Sequence, residues 1–440
     1  MEFRMEIRKH TISLLAAAIL LVPLPFGAQE QKTKTLTVGD AVQTAVAQNV
    51  TIKRNQITVQ AGKRAKDHSW NSISPTLSAG AGLTKPNDVS NYTYDWTGYA
   101  SAAVSVSFSP SLFTSIRTAQ LNYESDLITY EEACRSVELS VRSAFYGLLY
   151  EQENLALQER NLETAKQQYE TNLSKYQSGR ISQLDVLTAQ VTYEKLKPTV
   201  ESAEITLKND MESFKQVLNI DLNTDITLSG SLDDVLSLGT VSLGTAKIEE
   251  LVEKSSSVAT LEKELEIAET ALTASRFSAY GPTVTGGWTY KPTVTDKTTG
   301  DPSDYGTLSL AVSIPLDGCL PWSEKADAVA TANDSVQDLK LQLQNEKTTV
   351  QVDIQNYLRQ VQQVQTTITS LKANIDLAQQ TYDMTLEAYN HGTKDLLSLQ
   401  TASDSLLEAK VSLKSEAYTL IKAVLNLENT AGVQFGTLGK

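Results

Sequence analysis

The chain reads YETNLSKYQSGRISQLDVLTAQVTYEKLK at Tyr169–Lys197 and YDMTLEAYNHGTKDLLSLQTASDSLLEAK at Tyr382–Lys410. At a constant offset of 213 residues the two stretches place the same residue types in register. The matching pairs are Tyr169 and Tyr382, Leu173 and Leu386, Tyr176 and Tyr389, Gly179 and Gly392, and Leu184 and Leu397. Self-similarity at a fixed offset predicts an internal two-fold repeat.

The duplication extends upstream. PTLSAGAGLT (Pro75–Thr84) resembles PTVTGGWTYK (Pro282–Lys291), and AAVSVSFSP (Ala102–Pro110) resembles LAVSIPLDG (Leu310–Gly318). Each half is therefore expected to run helix, strand, loop, strand, long helix, tight turn, helix. The expected divisions are a signal peptide (1–28), a first repeat (29–227), an equatorial joint (228–246), a second repeat (247–428) and a C-terminal tail (429–440).

Each half carries apolar residues spaced alternately four and three apart, the a/d pattern of a coiled coil. In the second half the seam is Val350, Ile354, Tyr357, Val361, Val364, Ile368, Leu371, Ile375, Ala378 and Tyr382; after the turn it resumes at Leu399, Ala402, Leu406, Ala409, Leu413, Ala417, Leu420, Val424 and Leu427. The first half repeats it from Val137 to Tyr169, with polar interruptions at Glu151 and Gln158. The pattern predicts long antiparallel coiled-coil hairpins.

The predicted helix lengths exclude a compact globule. A helix from about Trp322 to Tyr389 would extend roughly 100 Å at 1.5 Å per residue. Its partner, Leu396–Glu428, and the opening helices, Val38–Trp70 and Ile248–Tyr280, are about half as long. Two half-length helices stacked end to end against each long one would make the wall of a rod or tube.

Four segments of alternating residues lie between the helices. They centre on Leu77–Leu83, Ala102–Phe108, Val284–Tyr290 and Leu308–Ile314, with polar loops at Lys85–Trp96 and Pro292–Asp304. About ten alternating residues match a tilted membrane strand, with aromatic residues at the strand ends as a girdle. The candidate girdle is Tyr92, Tyr94, Trp96, Tyr99, Trp288, Tyr290, Tyr305 and Trp322.

Those strands have two interpretations. They form either hairpins folded against the helices of a soluble protein, or part of a membrane barrel. Four strands leave two open edges, which lipid does not tolerate, and single-chain membrane barrels begin at eight strands. If the strands are embedded, the barrel closes only by oligomerisation.

The N-terminal residues predict secretion. Arg4, Arg8 and Lys9 precede the apolar run Ile12–Leu24, and small residues end at Ala28, as in a signal peptide. Beyond it no stretch reaches the ~18 apolar residues of a membrane-spanning helix. The formal net charge is −14, which argues against a nucleic-acid partner.

The sequence shows no pattern of an enzyme. Beyond the predicted signal the histidines are His68 and His391, and the cysteines are Cys134 and Cys319. These four are scattered, so no metal-ligand cluster or Cys/His pair is indicated, and two unpaired thiols are expected rather than one bridge. No phosphate-binding glycine loop or GxSxG elbow occurs. We expect no enzymatic activity and no cofactor.

Taken together, LTVGDAVQTAVAQNVTIKRNQITVQAGKRAK, PTLSAGAG, SIPLDG and the twin turns YQSGRISQLDVLTAQ and YNHGTKDLLSLQTA resemble the TolC-like outer-membrane efflux family over essentially the whole mature chain. The resemblance implies a mixed α/β membrane protein: a homotrimer with a twelve-stranded outer-membrane β-barrel and an α-barrel tunnel in the periplasm. It further implies a passive exit duct for efflux or type I secretion. The implied partners are a periplasmic adaptor, an inner-membrane pump or ABC transporter, and outer-membrane lipid.

The two turns cap the free ends of the hairpins, and Gly179 and Gly392 suit the left-handed backbone of helix C-termini. In the family these turns form the closed periplasmic mouth and dock the adaptor. The implied gate and docking residues are Tyr176, Gly179, Arg180, Asp185, Tyr389, Gly392, Lys394, Asp395, Ser398 and Thr401.

The resemblance suggests a link between Lys394 and Asp185, worth about 0 to 1 kcal/mol as a partly exposed ion pair. Some relatives have two constriction aspartates where this chain has Ser398 and Thr401, which leaves Asp395 or Asp404 as candidates for an acidic ring. Solvated helix ends are the alternative interpretation of these charges. The alternative function is a periplasmic adaptor or coiled-coil scaffold, although an adaptor usually has one hairpin.

Overall fold

The computed structural model describes residues 34–85, 97–233, 244–292 and 306–438. The helices are α1 (Val38–Gln48), α2 (Val50–Asp67), α3 (Ser111–Gln177), α4 (Gln183–Val217), α5 (Thr245–Lys254), α6 (Ser256–Tyr280), α7 (Glu324–Asn390) and α8 (Leu396–Thr430). The strands are β1 (Lys34–Leu36), β2 (Thr76–Thr84), β3 (Thr97–Phe108), β4 (Ile226–Leu228), β5 (Thr283–Tyr290) and β6 (Thr307–Ser313). The predicted signal peptide, most of the joint, nearly all of both polar loops, and Tyr92, Tyr94, Trp96 and Tyr305 lie outside the described residues.

The arms of the first hairpin have the same lengths as the corresponding arms of the second. Helices α3 and α7 each contain 67 residues, and α4 and α8 each contain 35. Their starting residues are again 213 positions apart, Ser111 with Glu324 and Gln183 with Leu396. The heptad seam accounts for the length of α7, because its apolar residues are buried along the helix. They include Val350, Ile354, Val361, Val364 and Ile368.

The prediction of one continuous helix at the start of each half is wrong. Asn49 adopts an extended backbone (φ −60°, ψ 131°), and its side chain accepts hydrogen bonds from the Thr51 and Ile52 amides, so that α2 begins as a separate helix. Ser255 has nearly the same backbone angles and separates α5 from α6. Trp70 lies in a 3₁₀ turn beyond the end of α2 rather than in that helix.

The shorter helices lie along the long ones in two levels, one near the sheet and one near the tips. Near the sheet, α3 contacts α2 and α6, where Lys263 of α6 binds Glu124 of α3 at 2.8 Å. Farther along, α3 contacts α4 and α8, with Tyr169 stacked on Tyr193 of α4 at 6.3 Å. Helix α7 contacts α6 and then α8. The lateral order is therefore α2-α3-α6-α7 near the sheet and α4-α3-α8-α7 near the tips.

The largest side chains of the core lie at mid-length, where the shorter helices meet. Phe145 of α3 and Phe214 of α4 contact edge to face at 6.3 Å, and both are buried. Also fully buried there are Leu36, Leu218, Leu251, Ile354, Leu420 and Leu427. Strands β1 and β4 form a short parallel pair at this level, which the sequence analysis missed because three residues are too few to show alternation.

The C-terminal residues are held against this core. Glu428 is fully buried, and its carboxylate accepts hydrogen bonds from the Gly436, Thr437 and Leu438 amides, each at 2.8 Å. Arg135 of α3 donates to the Glu428 carbonyl at 2.9 Å and to the Val433 carbonyl at 3.0 Å. The tail therefore folds back on the end of α8.

The four predicted strands form one antiparallel sheet in the order β2-β3-β5-β6, which leaves β2 and β6 as its edges. Val104 of β3 lies between Leu77 of β2 and Trp288 of β5. The edges carry large exposed apolar side chains, with Leu77 80% and Leu308 83% exposed. Of the girdle candidates, Trp288 stacks on Tyr290 at 6.1 Å, and Trp322 is exposed.

Candidate functional site at the hairpin tips

Both hairpins end in the same backbone turn. Gly179 (φ +72°) and Gly392 (φ +77°) adopt left-handed backbone just after α3 and α7. At the first turn the Gly179 amide donates to the Tyr176 carbonyl and the Arg180 amide to the Lys175 carbonyl. The second turn repeats this with Gly392 and Thr393 as donors. This Schellman arrangement satisfies the last carbonyls of each long helix.

The returning helices begin with acidic caps. Asp185 forms a capping box with Ser182, accepting from its amide at 3.1 Å and its hydroxyl at 2.7 Å. Asp395 caps α8 by accepting from the Ser398 amide at 2.9 Å. Hydrogen bonds from Ser398, with a smaller contribution from the Lys394 charge, lower the pKa of Asp395. Both carboxylates thus have local structural partners.

A buried polar contact joins the two tips. The Tyr389 hydroxyl of α7 donates to the Asn172 Oδ1 of α3 at 2.7 Å, and Asn172 is fully buried. Lys175 Nζ lies 4.9 Å from the centre of the Tyr389 ring. Burial and, less strongly, the charge of Asp185 raise the pKa of Tyr389, although the bond to Asn172 opposes them. Neither Asn172 nor Lys175 was identified from the sequence.

A second contact connects the returning helices. Gln400 Nε2 of α8 donates to Thr192 Oγ1 of α4 at 2.7 Å. The first and second hairpins of one chain are thus connected at two levels close to the tips.

The remaining predicted residues surround these contacts. Tyr176, Arg180, Lys394 and Thr401 are exposed, and Ser398 is half-buried. The Thr401 hydroxyl donates to the Leu397 carbonyl of its own helix at 2.9 Å. Among the described residues Lys394 forms no ion pair, so its link to Asp185 stays a prediction.

The tips also carry uncovered apolar side chains. On α4, Leu184 (72% exposed), Leu187 and Val191 form one exposed stripe at helical spacing. Leu397, which aligns with Leu184, is exposed at the start of α8.

The described residues contain no group of His, Cys, Asp and Glu side chains arranged to hold a metal ion. Within the same part of the chain, none of the helices is apolar over a length sufficient to cross a membrane. Cys134 and Cys319 are both free thiols.

Solved structures share this architecture. The Campylobacter jejuni CmeC outer membrane channel superposes with a TM-score of 0.74 at 16% identity, covering 90% of this chain and 85% of that one. The outer membrane protein VceC from Vibrio cholerae gives 0.75 at 13% identity, with 90% and 96% covered. The open state of the Neisseria gonorrhoeae MtrE outer membrane channel gives 0.75 at 15% identity, with 90% and 89% covered. With its long hairpins and small sheet, the chain shares the fold of these outer membrane channels.

The sequence identifies the family. The profile of the outer membrane efflux protein family matches residues 30–219 and 248–433, which is most of the chain. The chain belongs to this family. Membership supports an outer-membrane location and points away from an enzyme. No curated protein matches the chain.

Proposed function

We propose that this chain is the outer-membrane exit duct of a tripartite efflux or type I secretion system. It conducts substrates passively from the periplasm or an inner-membrane pump to the exterior, with a periplasmic adaptor docked at its gated mouth. Family membership over both hairpins supports this function over the alternative of an adaptor or coiled-coil scaffold.

The observation that carries the proposal is that the sheet and the helices are open at the same two lateral edges. Strand β2 lies at one edge together with α2 and α4, and β6 lies at the other together with α7. Both edges expose apolar side chains, among them Leu184 on α4, Leu77 on β2, Leu310 on β6 and Met384 on α7. One copy can therefore place its α7 and β6 edge against the α4 and β2 edge of the next.

Strand direction agrees with such a contact. The sheet is antiparallel throughout and has four strands, so β6 of one copy and β2 of the next would run in opposite directions and continue the antiparallel pattern. Head-to-tail contacts of this kind generate a ring when the rotation closes. Three copies would supply the twelve strands implied by the family and a helical tunnel on the periplasmic side.

The tips of both hairpins are proposed as the periplasmic mouth and adaptor-docking site, from Tyr176 to Asp185 and from Tyr389 to Thr401. The equal arm lengths place both tips about the same distance from the sheet. The predicted internal duplication is supported by the two matched segments of the family profile, which correspond to the two proposed repeats.

The test is fractionation and crosslinking of the full chain. We would pair one cysteine on β2 (Thr76 or Ser78) with one on β6 (Ser309 or Ala311), which lie on the same face of the sheet, after replacing Cys134 and Cys319 by serine. In detergent-extracted outer membrane, oxidation should give a ladder that ends at trimer, and the unoxidised protein should run as a heat-sensitive trimer. Each single cysteine alone is the control. Recovery of the protein as soluble monomers in the periplasm would overturn the proposal that the chain is an exit duct.

A further inference from the structure

The α3–α4 hairpin is polar at one level of its seam. Glu151 and Gln158 occupy a/d positions of α3, where Val364 and Leu371 stand 213 residues later in α7. Val364 is buried, so the second hairpin is closed by apolar contact at this level. In the first hairpin polar residues replace this apolar contact.

The facing helix differs in the same place. Asp210 of α4 is exposed and aligns with Ala423 of α8, which is buried. Pro198 lies inside α4, where α8 has Val411. A proline inside a helix removes one backbone hydrogen bond and weakens the helix there. The first hairpin therefore combines a polar seam with a weakened helix.

A cavity of about 500 Å³ opens between α3 and α4 at this point, and its lining includes Glu151, Gln158, Pro198, Ser202 and Thr206. The Glu151 Oε2 and Gln158 Oε1 atoms are buried and have no hydrogen-bond partner among the described residues. A buried polar atom without a partner costs free energy, so these two atoms weaken the contact between α3 and α4.

The carboxyl group of Glu151 has the exposed Asp210 of α4 as its acidic neighbour. Two ionised carboxylates are both acceptors and repel, so a hydrogen bond between them would require a proton on one of them. Burial and then the neighbouring Asp210 raise the pKa of Glu151 from its usual 4.5 to about 7.

The cations of the adjoining helix α8 have other partners. Tyr418 of α8 also faces Glu151. Its pKa is raised by burial and, less strongly, by the charge of Glu151. Lys414 binds Glu153 of α3 at 2.8 Å and Asp233 at 2.7 Å. Lys422 lies 5.5 Å from the centre of the Tyr418 ring. The carboxyl pair thus lacks a dedicated positive partner among the described residues.

We propose that Glu151, Asp210 and Pro198 form a proton-controlled joint in the α3–α4 hairpin. With one proton shared between the carboxyls, α3 and α4 stay in contact; when that proton leaves to solvent, repulsion beside the cavity separates the helices and frees the tip of α4. Because the pKa of Glu151 is raised in the closed hairpin, closure is favoured as pH falls through about 7 and is fully favoured below about 4.5.

Hydrogen–deuterium exchange of the full-length protein tests the joint without any transport assay. Protection factors, corrected for intrinsic exchange rates, should fall about 10- to 30-fold for α4 amides 195–213 between about pH 5.5 and pH 8.5. Amides 408–426 of α8, at the matching positions, are the internal control and should stay constant.

Three variants separate the joint from general pH effects. Glu151→Gln keeps the size of the side chain without its charge and should abolish the pH dependence in α4, as should Asp210→Asn. Glu159→Gln removes an exposed carboxylate from the same helix and should leave the dependence intact. Equal pH dependence in α4 and α8, or its persistence in Glu151→Gln, would overturn the proposal.

Discussion

The Tyr389 hydroxyl donates a hydrogen bond to Asn172 Oδ1 at 2.7 Å, which ties the end of α7 to α3 just above the two turns. Lys175 covers the tyrosine ring from the α3 side. The tips are therefore linked by a buried polar contact in place of the apolar seam that joins the helices higher up. Such a contact can be broken without disturbing the main core.

Tyr389→Phe should loosen the tips. The substitution leaves a fully buried amide oxygen without its donor, at a cost of about 1–3 kcal/mol. In planar bilayers the variant should open more often than the wild-type protein. Tyr176→Phe, at the matching but exposed position, is the control; equal opening frequencies in both variants would argue against the contact as a constraint.

Gly179→Ala and Gly392→Ala should each destabilise a turn through backbone conformation alone. An added Cβ would meet nothing within 4 Å at either glycine, but φ is +72° and +77°. Left-handed backbone costs a residue with a Cβ roughly 1–2 kcal/mol. Thermal unfolding followed by circular dichroism should show lower midpoints. Gly39→Ala, inside α1 with only ordinary contacts, should be neutral or slightly stabilising.

Lys394→Asp tests whether charge at the second turn constrains the mouth. Lys394 is exposed beside Asp395, and Asp185 caps the helix that follows the other turn. A negative charge at position 394 should therefore repel these carboxylates, which the lysine attracts. We expect a higher conductance or opening frequency in planar bilayers. The closed state should lose about 1 kcal/mol of stability or less, as for an exposed ion pair. Lys372→Asp, exposed on α7 away from the turn, is the control. Unchanged currents would remove this link.

Glu428→Gln should release the C-terminal tail. The carboxylate accepts from three backbone amides, and an amide side chain would turn one of its two oxygens into a donor facing a donor. The loss should be about 1.5–3 kcal/mol, as for hydrogen bonds to charged groups. Limited proteolysis should cut the tail faster. Glu408→Gln, exposed on the same helix, should leave the cleavage rate unchanged.

The sequence predicted the long helices well because a continuous heptad seam and a glycine after it define both extent and end. It missed the breaks at Asn49 and Ser255 because side-chain periodicity hardly changes when one residue leaves the helix. Asn49, which caps the following helix with its own side chain, was the available signal.

The tip contact was missed for a different reason. Asn172 is the next a/d position of the first seam, three residues after Tyr169. Tyr389 also lies on the second seam, one full heptad after Tyr382. Extending both seams to the turns would have placed a polar residue at a core position, which is a known means of fixing register. Their mutual distance depends on how two separate hairpins pack, which no pattern within one helix contains.

The equal arms also set a rule for changes in chain length. An extra heptad in α3 would move its tip outward by about 10 Å, and the added surface would have no neighbour unless α4, α7 and α8 grew by the same amount. Insertions in the helical wall should therefore survive only in matched sets of whole heptads. The hairpins act together as a molecular ruler for the distance between the sheet and the tips.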